Sequence, residues 1–293
     1  MGRTQTLKKV GTVGYTFLKI PVTARQTGLG QAGGALVDNS GITSLFLNPA
    51  SLGFQKNYLS GISYSRWLAG IDHHAGGFTI PTKYMGNFGI GINYLDYGTM
   101  QRTIQTGEFG KYQKAGQYTA QSLSLGLTYA RQLTNKFSYG LRLKWIEENI
   151  YKYSSSNALL DLGIIYYTNF NTLRIGGFVS NFGVESKFIG DSFKMPTTLR
   201  LALAYDVNIF NKQLITFVGE VSHPSDNTEK IHLGCEYNIN NLLFLRFGYK
   251  YKYDEDKITF GGGINWNKYM LDAAVIPFGR FNPVYIISLQ KEF

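Results

Sequence analysis

From about residue 58 to the end of the chain, apolar and polar residues alternate with a period of two. This is the pattern of strands whose two faces meet different surroundings. In SLSLGLTYA (122–130), Leu123, Leu125, Leu127 and Tyr129 share one face, and Ser122, Ser124, Gly126 and Thr128 share the other. LRLALAYDV (199–207) sets Leu199, Leu201, Leu203 and Tyr205 against Arg200, Ala202, Ala204 and Asp206. FLRFGYKYKY (244–253) does the same with Leu245, Phe247, Tyr249 and Tyr251 against Arg246, Gly248, Lys250 and Lys252. Read this way, the chain yields fourteen strands, at 58–67, 71–81, 86–103, 118–132, 137–152, 158–169, 172–182, 196–208, 212–222, 229–238, 242–252, 257–266, 269–276 and 284–293.

The connections between them alternate too. TKYMGN, LTNK, NFNT, NIFNK, NINN and NK are short and turn-like. Residues 104–117, YSSSN, 183–195, HPSDNTE, YDEDK and PFGRFNP are longer or more varied, and only LAG, between the first two strands, breaks the rule. An even number of strands of about ten residues, with short turns on one side and longer loops on the other, is the signature of an outer-membrane barrel. A soluble sandwich would carry polar residues on its outer faces, whereas here one face of nearly every strand is Leu, Ile, Val, Phe or Tyr. The expected fold is all-β: a 14-stranded antiparallel transmembrane β-barrel, its last strand, VYIISLQKEF, paired with the first and Phe293 in an aromatic girdle.

Residues 1–57 differ, which divides the chain into an N-terminal segment (1–57) and a barrel (58–293). TARQTGLGQAGGAL (23–36) is rich in Ala and Gly and has no period-two pattern, and LNPASLG (47–53) offers Asn48 as a helix N-cap with Pro49 at the first helical position. A barrel of this size has more room than its own side chains fill. The N-terminal segment is therefore expected inside it as a plug, with both termini on the periplasmic side.

Composition fits this picture. Charged residues are only 16% of the chain, while aromatics reach 15% and glycine 34 of 293 residues. The net charge of +10 is spread along the sequence, which argues against nucleic acid and leaves solubility, or contact with anionic lipid headgroups, as its role. MGRTQTLKKV is charged and no apolar core follows it, so a signal peptide is absent and an exported protein of this sequence is expected to be a mature form.

FLKI (17–20), Ala24 and Arg25, GLGQAGGALVD (28–38), NPASLG (48–53), SRWLAGI (65–71) and INYLDYGTM (92–100) together resemble the PorV/PorQ family of Bacteroidota, itself similar to the FadL-type fatty-acid transporters. The resemblance implies a fourteen-stranded outer-membrane barrel with an N-terminal hatch, its motif carried by Ala24, Arg25, Gly33, Asp38, Asn48, Pro49 and Ala50. It further implies a role in type IX secretion, with secretion-system proteins or exported cargo as partners, in a Gram-negative, Bacteroidota-like outer membrane. The alternative is a FadL-like transporter of hydrophobic small molecules.

Other chemistry is thinly represented. His73 and His74 are neighbours on a strand and point to opposite faces, so they cannot chelate one metal. His223 and His232 lack partners at metal-ligand spacing, YDEDK lacks the form of a calcium loop, and GLGQAG has no strand–turn–helix around it. Cys235 shares the apolar face with Ile231, Leu233 and Tyr237 and reads as lipid-facing. No cofactor, metal or catalytic set is expected, and an outer-membrane hydrolase is the competing class. The polar face carries Arg142, Lys144, Asp161, Arg174, Arg200, Asp206, Glu220, Glu236, Arg246 and Asp272. Buried charges of mixed sign must pair, so these are expected to brace wall and plug, and a charged lumen argues against a long apolar path. Protein partners would dock on exposed loop aromatics, for which Phe188, Phe193, Phe278 and Phe281 are the candidates.

Overall fold

The computed structural model describes residues 11–37, 41–107, 109–170, 172–210 and 212–293. Its strands are β1 (Leu59–Arg66), β2 (Asp72–Ile80), β3 (Asn87–Gln105), β4 (Tyr112–Thr134), β5 (Phe137–Ile150), β6 (Tyr153–Tyr167), β7 (Arg174–Phe182), β8 (Ser186–Phe188), β9 (Asp191–Phe193), β10 (Thr198–Phe210), β11 (Gln213–Pro224), β12 (Lys230–Ile239), β13 (Leu243–Tyr251), β14 (Ile258–Trp266), β15 (Tyr269–Ile276) and β16 (Val284–Glu292). Fourteen of them form one closed antiparallel barrel, in which β1 pairs with β16 from Leu59↔Glu292 to Arg66↔Tyr285. The amide of Phe293 donates to the carbonyl of Tyr58 at 3.0 Å, which extends the closing seam by one bond. Closure leaves no unpaired edge, a requirement for any sheet surrounded by lipid.

The strand faces divide as the alternation requires. On β5, Leu141, Leu143 and Trp145 are exposed while Ser138, Arg142 and Lys144 are buried. Leu125, Leu127, Leu201, Leu203 and Leu245 are likewise exposed on the outside, and Leu123 lies on the same face. From Phe137 to Trp145 the outward run covers roughly 27 Å along the strand, which a ~40° tilt shortens to about 20 Å, near the height of the apolar band of such barrels. Cys235 sits on this outer face, half-buried between its cross-strand neighbours Phe217 and Phe247.

The two ends of the barrel are unlike. At one end the hairpins close tightly. Asn267 (φ 49°) and Lys268 (φ 70°) make a two-residue turn with both residues left-handed, as such hairpins demand. At the other end β3 and β4 run on past the remaining strands as a long hairpin, and the 183–195 connection, expected as plain loop, contains the small hairpin β8–β9. These are called the turn end and the loop end below.

Both termini are expected on the periplasmic side; the C-terminal strand ends at the turn end, whereas residues 1–10 lie outside the described residues and the described part of the N-terminal segment begins at the loop end. Val13 bridges to Lys194, and the Tyr15 hydroxyl meets Ser155 at 2.7 Å and Ser186 at 3.0 Å. The N-terminal segment thus traverses the barrel from loop end to turn end before β1 begins, and only the C-terminal strand finishes at the turn end. A single pass through the lumen reverses the end at which a segment starts, and strand alternation contains no record of that pass.

Candidate functional site in the barrel lumen

The N-terminal segment occupies the lumen because its small residues allow backbone to lie against backbone. The short helix α1 (Ala24–Gly28) rests on β13 to β16, where a Cβ on Gly28 would come within 3.0 Å of the Gly261 Cα. Gly30, at φ +65°, has no room for a side chain: its Cβ would stand 2.9 Å from the carbonyl oxygen of Leu233. Further along, the Asn48 side chain accepts from the Ala50 amide at 3.0 Å and donates to the Gly34 carbonyl at 2.6 Å, so one residue caps the Pro49–Phe54 turn and ties it to the preceding loop. Ala50 is anchored to the wall by the Ser138 hydroxyl (2.8 Å), and the Asn87 amide donates to the Leu52 carbonyl (2.7 Å) as the segment leaves at the turn end.

Ala24, Arg25, Asn48, Pro49 and Ala50 are all buried in this passage, and Gly33 lies within it half-buried; Asp38 falls outside the described residues. The resemblance motif therefore consists largely of residues that let this backbone fit inside this wall.

The inward charges pair as follows. Arg25 of the segment grips Glu236 of β12 with two bonds of 2.7 and 3.0 Å. Glu236 also accepts from Arg246 (2.5 Å), its cross-strand partner, and Arg246 reaches on to Asp272 (2.6 Å). That last bond spans the whole of β14. Glycines there make it possible, since a Cβ on Gly263 would stand 3.0 Å from the Arg246 guanidinium. The result is an alternating row, Arg25–Glu236–Arg246–Asp272, running from plug to wall with every member buried.

A second cluster centres on Asp161, which accepts from Arg142 (Nε, 2.7 Å), pairs with Lys144 (2.8 Å) and takes the backbone amide of Asn181 (2.7 Å). The β6–β7 register slips between Leu160 and Leu162, so the Asp161 carboxylate replaces a missing ladder bond. Glu220 pairs with Arg200 (2.9 Å) and holds the amides of Gly34 (3.0 Å) and Gly33 (3.3 Å). Arg174 pairs with Asp206 (2.6 Å), which Thr216 also supports. Glu236 and Glu220 are thus the wall's handles on the segment, while Asp161 and Asp206 brace the wall.

Several contributors were not singled out in the sequence. Ser63 donates to the Val22 carbonyl (2.7 Å), Ser288 receives the Ala24 amide (2.9 Å), Gln290 receives the Ile42 amide (2.9 Å), and His232 meets the Gly30 carbonyl (2.8 Å). Each stands on the polar face of its strand, but small polar residues are common there and the pattern does not say which of them meet the segment. His73 is buried against Asn93 and Ser65, while His74 is outside between Tyr64 and Tyr94, so the pair do point apart. Among the described residues no three His, Cys, Asp or Glu side chains gather as metal ligands.

The loop aromatics require correction. Phe278 is buried, not exposed: it packs edge-on against Trp67 beside Ala24 and Ile276. Phe193 is half-buried, edge-on to Tyr15, and Phe188 is half-buried in the small hairpin. Phe281 alone of the four is exposed. An aromatic side chain near another apolar group buries itself when the backbone allows, and here the N-terminal segment supplies that group.

Two cavities lie between segment and wall. A vestibule of about 230 Å³ opens at the loop end, bordered by Trp67, Phe278, Tyr253 and Lys230. Burial pushes the Tyr253 phenol up to about 12, so it stays neutral, its ring lying 3.9 Å from the Lys230 ammonium and 4.4 Å from that of Lys250. Below it is an inner cavity of about 70 Å³. The two share Lys19, Ile20, Gln31, Thr198 and Arg200, and an ion pair between Lys19 and Asp226 lies at their boundary. The inner cavity has two unlike sides. The wall side is mostly polar, with Asn93, Ser124, Arg142, Lys144 and Asn181 beside one ring, Phe178; the segment side is mostly apolar, with Leu18, Ile20, Val22, Leu45, Phe46 and Leu47 beside Lys19, Gln26 and Gln31.

No known protein family and no curated protein matches the sequence. Solved structures do match. The Pseudomonas putida toluene transporter TodX superposes with a TM-score of 0.64 at 13% identity, over 92% of this chain and 98% of that one. The monoaromatic hydrocarbon channel CymD gives 0.61 at 11% identity, over 93% and 97%. The Acinetobacter baumannii outer membrane protein Omp33 gives 0.50 at 8% identity, over 82% and 100%. What is shared is the fold. It is a closed fourteen-stranded antiparallel barrel, and at such identities it does not by itself carry a substrate or a partner.

Proposed function

We propose that this protein is a non-enzymatic channel of a Gram-negative outer membrane that passes small hydrophobic molecules along the lumen, with its N-terminal segment as the gate. The observation that carries this reading is the apolar side of the inner cavity, formed by Leu18, Ile20, Val22, Leu45, Phe46 and Leu47 of the segment. The inward face of the strands is charged, which counted against an apolar path when the strands alone were considered. The segment brings most of the apolar surface, beside Phe178 of the wall, and the wall's charges are largely turned to one another in ion pairs. The fold shared with TodX and CymD over more than nine-tenths of each chain supports the same reading.

The conformation described is closed. A dry cavity of about 150 Å³ holds a benzene ring, and the inner cavity is half that size, while the vestibule is large enough. A single-ring solute therefore waits in the vestibule and advances when the stretch around Ile20 moves. The test is uptake of radiolabelled toluene by cells of a Gram-negative host lacking its own hydrocarbon channels. Expression of the protein should raise uptake, and Ile20→Asn or Phe46→Asn should lower it several-fold in barrels that remain folded. Uptake equal to that of empty-vector cells would overturn the proposal.

A second reading, a secretion-associated barrel of the PorV/PorQ kind in a Bacteroidota-like cell, rests on the sequence resemblance and on the tall β3–β4 hairpin, whose tip bears the fully exposed Phe109 and the exposed Tyr112. Co-purification of secretion machinery or cargo from native membranes, lost on Phe109→Ser and Tyr112→Ser, would favour it.

A further inference from the structure

Basic side chains stand at both ends of the barrel, but acidic ones offset them at the loop end, so the fold leaves the unbalanced positive charge at the turn end. Lys83, Arg131, Lys136, Lys212, Lys268 and Lys291 all lie at the turn end, on or beside the hairpins that join β2–β3, β4–β5, β10–β11 and β14–β15 and on the end of β16. The described acidic side chains are elsewhere. Those of the lumen are consumed in the ion pairs above, and the rest occupy strand ends and loops of the loop end, except Glu292, which hydrogen-bonds Asn57 (2.6 Å).

We propose that this end is a collar that binds the anionic phospholipid headgroups of the leaflet it faces. Three observations commit the collar to lipid. The cations are distributed around the circumference, where lipid surrounds a barrel, whereas a protein partner would select one patch. They sit level with aromatic side chains: Tyr84 beside Lys83, Trp266 beside Lys268, and Tyr269 and Phe293 beneath the Lys291 ammonium at 5.4 and 4.8 Å. Such rings mark the depth of the headgroups, and lysines there lay their stems on apolar surface while the charge reaches the phosphates. The collar also has one open recess. A groove of about 560 Å³ lies between the first turn and the end of β4, with Lys56, Lys83 and Arg131 around it, Phe54, Pro81 and Tyr84 along its sides, and no carboxylate in its lining. That combination fits a phosphate diester with the first part of its acyl chains. A basic residue near an anionic lipid surface favours it roughly fivefold, so several acting together set a strong preference, which added salt weakens.

The experiment is retention of lipid by the intact chain, extracted from nanodiscs containing equal parts phosphatidylcholine and phosphatidylglycerol and read by native mass spectrometry. The expected result is at least tenfold more bound phosphatidylglycerol than phosphatidylcholine. Combined Lys83→Gln, Arg131→Gln, Lys136→Gln, Lys212→Gln and Lys268→Gln should abolish the preference. All five residues are exposed and away from the lumen, and unchanged heat-modifiability on gels confirms folding. An equal number of substitutions at the loop end, at Lys111, Lys114, Lys152, Lys187 and Lys194, should leave the preference intact. Equal retention of the two lipids by the unaltered protein overturns the proposal. So does equal loss in both variants, which reports net charge alone, or capture of an acidic periplasmic protein in place of lipid.

Discussion

Removing the Glu236 carboxylate tests whether the N-terminal segment is held by the wall through charge. Glu236 stands between Arg25 of the segment and Arg246 of β13, with bonds of 2.5 to 3.0 Å to the two guanidiniums. In Glu236→Gln the shape persists, but the negative charge is gone and an amide NH2 now faces one of the arginines. Arg246 keeps Asp272, whereas the two charge-assisted bonds from Arg25 to Glu236 lose their charged acceptor. A hydrogen bond to a charged group contributes about 1.5–3 kcal/mol, and breaking one partner of a buried pair costs about 3–5 kcal/mol. Taking about 3 kcal/mol, the equilibrium for release of the segment shifts by roughly a hundredfold.

The assay is native-state trypsin cleavage after Arg25, which is buried in the lumen and is cut only when the segment leaves it. Under conditions in which opening is fast relative to cleavage, the rate follows the open population. Glu236→Gln should accelerate cleavage by about two orders of magnitude. Arg25→Met combined with Glu236→Gln should recover part of the loss, with release then followed by hydrogen exchange of the buried Ala24 and Thr27 amides, because the guanidinium that lost its Glu236 acceptor is removed with it. Unchanged cleavage, together with lower stability of the barrel itself, would mean that Glu236 braces the wall and that the segment is held by packing alone.

Leu127→Arg or Leu201→Arg, at exposed mid-strand positions, should destabilise the barrel by about 2–4 kcal/mol in urea titrations in lipid vesicles. Gly140→Leu should displace the segment without disturbing the strands, because its side chain enters the space of the Pro49 backbone, and faster cleavage after Arg25 with unchanged heat-modifiability is the expected signature. His73→Ala, which removes a buried partner of Asn93 inside the barrel, should cost more stability than His74→Ala on the outside. In a Cys235→Ser background, a membrane-impermeant maleimide should label Lys111→Cys in intact cells and Lys268→Cys only after permeabilisation; the reverse would invert the barrel.

The strands and their faces were legible because alternation is a local property. Each segment such as SLSLGLTYA carries its own record of which side meets lipid, and the strand count follows from repeating that reading. The tall β3–β4 hairpin and the small β8–β9 hairpin escaped it, since outside the membrane neither face need be apolar. The ten charged residues of the polar face could be named from sequence, but their partners could not. Arg142 and Asp161 meet because β5 and β6 pair in one register, and Arg246 reaches Asp272 only across the glycines of β14.

Tertiary structure alone decided the course of the N-terminal segment. Its Ala- and Gly-rich stretch announces close packing and leaves direction open, since small residues fit a wall equally well either way up. That course buried Phe278 and half-buried Phe193, put an apolar surface into a polar lumen, and brought Val13 and Tyr15 to the loop end. The same holds for charge. Lysines far apart in the chain become neighbours because every second connection returns to the same end of the barrel, and a sequence read along its length cannot show which connections those bring together.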